Sequence, residues 1–304
     1  MSANAARTAQ EAVRALMPKV RTTALVAVTG ILVICGGLLA IVLNPPSFIA
    51  EDQDPAALAF AALLLGSVPV GFIYRFMRQE QEALVLPAVA QALGMTYAKS
   101  GLAILEGMPP QLLPRGLLHA EDHVEARVAD RRVALAELHI RPRNDRHHTL
   151  FRGLVLRVPH GGKTAPFFMA LAHLARPGIA FGNFLSTDGY RHLRDLPLAG
   201  GKFGLWIAAL SGSESPALTA RIDGLVTTLS GFAGAWMPHS IASDGADTWL
   251  ALGHHRDLFR LGGAFPSEAR ILAAVEAAVA DLSQPLALAQ ALIANETREK
   301  VKGA

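Results

Sequence analysis

The chain has 304 residues, 51% of them hydrophobic, with 28 Lys and Arg against 25 Asp and Glu and a formal net charge of +3. So small an excess, with acids and bases interspersed from Glu106 onward, argues against nucleic acid as a partner, because such binders gather their cations on one face. The single cysteine, Cys35, rules out an internal disulfide, a cysteine-based zinc site and a redox pair.

Residues 1–21 form a polar N-terminal segment carrying Arg7, Arg14, Lys19 and Arg21. From Thr22 to Ala50 there is no charge, and Pro45 and Pro46 close the run. Its core, 22–44, matches the ~20 residues that cross ~30 Å of hydrocarbon. It is too long for a signal-peptide core and is followed by Asn44-Pro45-Pro46, not by a small-residue cleavage site. A second charge-free run, Pro55–Tyr74, contains Pro69. A proline is tolerated in a spanning helix when a neighbouring hydroxyl, here Ser67, relieves the freed carbonyl. Its apolarity all round the helix distinguishes it from a soluble core helix with one polar stripe. The two runs, 22–44 and 55–75, therefore read as a transmembrane helical hairpin. Gly30, Gly36, Gly37, Ala61, Ala62 and Gly66 offer small surfaces for close packing. Cations flank the pair on one side (Arg75 and Arg78 follow the second span), while the loop carries Glu51, Asp52 and Asp54. By the positive-inside rule both termini are cytoplasmic, with the short loop on the far side of the membrane.

Residues 76–295 read as a cytoplasmic α+β domain and 296–304 as a polar, frayed tail. A helix continues from the second span through 76–93, with Gly94 as its C-terminal cap. The proline-rich stretch 107–118 is loop. Alternation starting at His123 (HVEARVA) and VALAELHI after Asp130-Arg131-Arg132 predict a hairpin. Further strands are expected at 151–158, 167–174, 181–186 and 202–210, then at WMPHSIA and TWLALGHH around a Ser243-Asp244-Gly245 turn. Ser215-Pro216 opens a helix. Two more helices are expected at 267–282 and 285–294. Strands in hairpins with helices clustered late imply a largely antiparallel sheet with packed helices.

The chemical motifs are sparse. HGGKT (160–164) resembles the end of a phosphate loop, but Arg157 stands where the first glycine belongs, so a hairpin turn is expected there. His147-His148 and His254-His255 are adjacent pairs, whose side chains diverge on a strand; they read as solvated loop histidines. Asp122-His123 and His255 with Asp257 would make a site only if the fold united them. The pattern supplies no catalytic set, no metal ligands and no cofactor motif. Glu137 shares strand parity with Val133 and Leu135, and Arg152 with Leu154 and Leu156. Each charge falls on an apolar face, which makes Glu137 and Arg152 candidates for a structural ion pair if the strands adjoin.

Taken together, LLHAEDHVEARVADRRVALAELHI (117–140), FRGLVLRV (151–158) and TWLALGHHRDLFRLGG (248–263) resemble the bacterial DUF3137 family. The matching features are Glu121-Asp122, Glu137, Phe151-Arg152-Gly153 and Asp257-Leu258-Phe259. The resemblance implies a domain of unknown function behind N-terminal membrane spans, and no particular activity. The expected function is a non-enzymatic module tethered at the membrane, binding lipid headgroups or a protein partner. Arg141, Arg143 and Arg146 are the candidate lipid contacts. The alternative is an enzyme acting on a membrane-proximal substrate, with Asp122, Glu137 and nearby histidines as acid/base groups. A transporter is disfavoured, because the two spans carry no intramembrane charge.

Overall fold

The computed structural model describes residues 3–44, 55–110, 112–144, 148–171, 189–197, 204–210, 212–230, 236–254, 258–263 and 266–303. Among these residues it contains four α-helices and one nine-stranded sheet, an α+β architecture. The chain divides into two units: Met1–Leu93 with Phe259–Val279, and Gly94–Leu258 with Ala280–Ala304.

The first unit is helical. α1 (Ala3–Leu43) and α2 (Pro55–Ala92) pack along each other. Both are longer than the apolar runs within them. In α1, Ala9, Val13, Met17 and Val20 are buried, at spacings of four, four and three that align them on one helical stripe. Beyond Arg21 the pattern reverses, and Leu25, Val26, Leu32, Val33, Leu39 and Leu43 are exposed. In α2 the exposed set comes first (Phe60, Leu63, Leu65, Val68, Phe72), and the buried set follows (Met77, Val85, Leu86, Val89, Ala90). Glu82, buried in that second half, is paired with Arg78 at 3.0 Å. Of the small residues expected at the helix contact, Gly66 fits: a Cβ there would stand 2.7 Å from Leu38 Cδ1. Gly30, Gly36 and Gly37 have open space around them and bring nothing together. Ser67 Oγ donates to the Leu64 carbonyl at 2.7 Å beside Pro69. Gly94 ends α2 at φ +70°, the left-handed cap that glycine adopts without penalty.

The second unit holds the sheet: β1 (Thr96–Ser100), β2 (Leu117–Val128), β3 (Arg131–Arg141), β4 (Phe151–Pro159), β5 (Phe167–Leu171), β6 (Tyr190–Pro197), β7 (Gly204–Leu210), β8 (Met237–Ser243) and β9 (Asp247–Gly253). Their order is β1-β2-β3-β4-β9-β8-β5-β7-β6, antiparallel throughout. β1 and β6 were not expected from alternation, since their residues are mostly polar and lie at the two ends of the order. β2 starts at Leu117, well before the His123 at which alternation becomes regular. The expected strand at 181–186 lies outside the described residues.

α3 (Pro216–Ser230) is capped as predicted, with Ser215 Oγ accepting the Leu218 N–H at 3.1 Å. The two late helices expected from the sequence are one, α4 (Glu268–Gly303), with Pro285 inside and most of the expected frayed tail included. The proline removes one backbone bond, but Leu282, Leu286, Leu288, Ala289 and Ile293 remain buried across it, so continuous burial holds the helix through the break. α4 is tied to α3 by Asn295 Nδ2 donating to Thr228 Oγ1 at 2.7 Å.

HGGKT is not a hairpin turn, because β4 and β5 are separated in the sheet by β9 and β8. The segment instead crosses the β8–β9 turn: His160 N–H donates to Ala246 O and Thr164 N–H to Gly245 O. Gly245, at φ +96°, is needed there, since a Cβ would be driven into the Thr164 carbonyl.

Gly153 sits where β4 meets β9, and a Cβ there would collide with the Leu252 carbonyl. Gly153→Ala should therefore destabilise the protein by about 1–3 kcal/mol, the usual cost of overpacking. A urea midpoint equal to wild type would show that the two strands are not this closely paired.

Candidate functional site

Among the described residues two polar clusters line concavities on the apolar sheet, both within the second unit. The first gathers on the three strands β2, β3 and β4. Their register places His119 opposite His139 and His139 opposite Arg152; in the next row Glu121 is opposite Glu137, and Glu137 opposite Leu154. Residues two apart on a strand share a face, so Leu117, His119 and Glu121 stand beside Glu137, His139 and Arg141. His119, Glu121, Glu137, His139, Arg141 and Arg152 line a cleft of about 310 Å³.

The face is otherwise apolar, continuing through Leu135, Leu154, Leu156, Leu250 and Leu252, all fully buried. The cleft is thus the polar end of a hydrophobic sheet face. Its charges are partly compensated. Glu137 Oε2 accepts the Leu258 N–H at 3.1 Å, and Arg152 Nη2 lies 3.9 Å from Glu137 Oε1. The two side chains anticipated as an ion pair are therefore diagonal neighbours at the long limit of such a contact, with Glu137 buried and Arg152 about a third exposed. Glu121 contacts His119 and, at 3.2 Å, Lys99. Burial pushes its carboxyl upward, but Lys99 and His119 outweigh that and hold it below the usual range. His139 is 3.0 Å from Thr149 Oγ1 and 3.3 Å from Arg141 Nε. Desolvation, then the Arg141 and Arg152 charges, lower its pKa, which favours the neutral ring.

Asp122 does not join this cleft. It is the extra residue of a β-bulge, with φ +54° and a register shift between Glu121 and Val124. Its carboxylate accepts from Tyr97 at 2.5 Å and from Lys99 at 3.0 Å. Burial raises its pKa against the opposing pull of Tyr97 and Lys99.

The second cluster surrounds His160. Val158, Thr248, Ser243 and Phe167 form one row across β4, β9, β8 and β5. The His160 ring lies over it, with Thr248 Oγ1 2.9 Å and Ser243 Oγ 3.2 Å from Nε2. Arg221 of α3 lies against the ring, 2.6 Å from Nε2. Glu296 of α4 accepts the Gly161 N–H at 3.0 Å and pairs with Arg131. The space between these side chains measures about 40 Å³, on the scale of a bound water. This is a latch that fastens α3 and α4 to the sheet. Desolvation, followed by the Arg221 charge, lowers the His160 pKa to about 4.

Of the other anticipated residues, Arg143 and His148 are exposed, while Arg146, His147, His255 and Asp257 lie outside the described residues. His254 is not a solvated loop residue. It is buried against Trp236, ring centroids 4.6 Å apart, because it extends β9 and its N–H donates to the Arg152 carbonyl. Among the described residues no group of three or more His, Cys, Asp or Glu is placed to hold a metal ion. His119, Glu121 and His139 were missed as site residues. The available signal was the mirrored spacing His119-x-Glu121 and Glu137-x-His139, which is centred on Ala129 and so stands one residue out of step with the Ala129-Asp130 turn.

No family model matches the chain, and no curated protein matches it. Among solved structures it is similar to the crystal structure of the mycobacterial trehalose monomycolate transport factor A, at 12% identity and a TM-score of 0.34 over 66% of this chain and 90% of that one. A likeness that slight bears on neither fold nor function.

The latch predicts a pH dependence with a definite sign. The folded His160 pKa of about 4 lies below its ordinary value of 6.5, so the unfolded chain takes up the proton first. Stability is fully present above pH 6.5 and falls as the pH drops toward 4. His160→Gln should reduce the loss of urea midpoint between pH 7 and pH 5, with His123 and His139 still contributing in the same direction because burial lowers both of their pKa values. An unchanged loss would mean that His160 is not held neutral.

Proposed function

We propose that the protein is a membrane-tethered module of the DUF3137 type, anchored by α1 and α2 in a bacterial inner membrane, and that its sheet domain binds a ligand or partner at the cytoplasmic surface. Among the described residues three helices are long and apolar enough to cross a membrane, at Asn4–Leu43, Phe60–Ala92 and Glu268–Glu296. The observation that carries the reading is how the first two differ from the third.

Eight large apolar side chains of α1 and eight of α2 are exposed, from Leu25 to Leu43 and from Phe60 to Phe76. Leaving each in water costs about 1.5–3 kcal/mol relative to burial. The total is tens of kcal/mol, more than the ~5–15 kcal/mol by which a domain is stable, which supports placing these surfaces in lipid. α4 instead buries Ile271, Val275, Val279, Leu288, Ala289 and Ile293 within the protein, and 39% of its most apolar window is covered. We read it as a helix of the folded domain. Arg7, Arg14, Lys19 and Arg21 before the first span, and Arg75 and Arg78 after the second, favour cytoplasmic termini.

An acid/base enzyme is the second reading, favoured by the two carboxylates and two imidazoles that share the β2–β4 cleft. Asp122, held by Tyr97 and Lys99, takes no part in it.

The native Cys35 is the reporter for the anchor, since it lies exposed in the middle of the first apolar run. In intact membranes it should resist a water-soluble, impermeant maleimide and react only after denaturing detergent. In a Cys35→Ser background, Ser47→Cys should label from outside the cell and Ala5→Cys only after permeabilisation. Prompt labelling of Cys35 in sealed membranes would overturn the anchor, and the reverse pattern for the two engineered cysteines would overturn the orientation.

A further inference from the structure

The outer end of the cleft is built unlike the rest of the domain. Leu102, Leu117 and Leu118 are 60%, 52% and 38% exposed. The Gly101 N–H donates to the Ala120 carbonyl, which lays the turn Leu102–Leu105 against β2 three residues from Leu117. Leu117 is opposite Arg141 and Leu118 opposite Ile140. Leu117 and Leu118 therefore point to opposite faces of a strand end and are exposed on both. Around them stand exposed Arg115, Arg141 and Arg143, and the sequence from 141 to 146 (RPRNDR) holds three arginines and one acid.

Inside the cleft Glu137 is buried and engaged by the Leu258 N–H, and the more exposed Glu121 is engaged by Lys99 and His119. Among the described residues Arg141 has no carboxylate partner; its neighbour is His139 at 3.3 Å. An apolar fringe surrounded by guanidinium groups is the chemistry of an interfacial contact, where leucines enter the acyl boundary and each cation near an anionic surface adds about 1 kcal/mol.

We propose that this tip docks on an anionic bilayer, with Leu102, Leu117 and Leu118 entering the interface and Arg141, beside Arg152 and His139, receiving the net negative headgroup of an anionic phospholipid at the mouth of the cleft. The inference rests on the membrane tether, which supplies the bilayer and confines the domain to its surface. It turns the tether from a passive anchor into one arm of a two-point attachment, in which the second arm depends on lipid charge.

The full chain, with Cys35→Ser and Leu117→Cys carrying an environment-sensitive fluorophore, tests this in lipid nanodiscs. In discs containing phosphatidylglycerol the emission should shift to the blue and be quenched by lipids bearing a nitroxide near the headgroup. Both effects should be lost in pure phosphatidylcholine, and in phosphatidylglycerol when Arg141→Ala and Arg143→Ala are added. These arginines are exposed, so the variant's melting temperature should match its parent. A fluorophore that stays in water in every disc overturns the docking while leaving the tether intact, because the protein is still held in the disc. A blue shift that persists in phosphatidylcholine or survives loss of both arginines overturns the headgroup site. Failure of the chain to enter discs at all overturns the tether, and the docking with it.

Discussion

A single extra residue in β2 decides what the sheet presents. Side chains alternate along a strand, so inserting one residue moves everything beyond it to the other face. Val124 and Ala126 lie on the face shared with Leu135 and Val133. Unbroken alternation would put Asp122, Ala120 and Leu118 on that face and turn His119 and Glu121 away. The bulge at Asp122 reverses this and sets His119 and Glu121 beside His139 and Glu137. The left-handed conformation at φ +54° costs an ordinary residue about 1–2 kcal/mol, less for an aspartate. The Tyr97 hydroxyl and the Lys99 ammonium, both from edge strand β1, hold the carboxylate there. The cleft thus depends on a short polar strand that contributes no lining residue to it.

The same constraint sets the energetics of the site. Two carboxylates directly opposite each other on neighbouring strands repel, and Glu121 and Glu137 are tolerated because a lysine, an arginine, a histidine and a backbone N–H reach them. By contrast, the His160 cluster on the same sheet leaves a smaller space and joins helices to strands. Similar residue types serve attachment in one place and leave an open concavity in the other. Volume separates the two roles, about 40 Å³ against about 310 Å³.

Much of the architecture was legible in the sequence. The charge-free runs, the Ser215 cap, the Asp244-Gly245 turn and the antiparallel α+β class all follow from local chemistry, which acts over a few residues. Where the reading failed, the deciding contact was remote. α4 passes through Pro285 because burial of Leu286, Leu288 and Ile293 outweighs one missing bond. HGGKT crosses between strands that are not neighbours, which no local pattern reports. Glu137, Arg152 and Arg141 were singled out from the sequence and meet in one cleft. His119 was not, because a reading by alternation begins at His123 and the bulge lies immediately before it; Glu121 enters only through the resemblance, and His139 reads as part of a strand and not of a site. The glycines of α1 look like packing surfaces in composition, yet Gly66 of α2 is the one placed against a neighbouring helix.

The bulge itself can be tested by cross-linking. In a Cys35→Ser background, His119→Cys with His139→Cys places two thiols on directly opposed residues, within the Cα separation of about 4.4–6.8 Å that a disulfide requires. Ala120→Cys with His139→Cys gives a matched pair whose side chains would share a face only if alternation ran on unbroken. Under mild oxidation the first pair should form a disulfide rapidly and the second should form little. Efficient cross-linking of the second pair and not the first would contradict the bulge, and would remove His119 and Glu121 from the cleft.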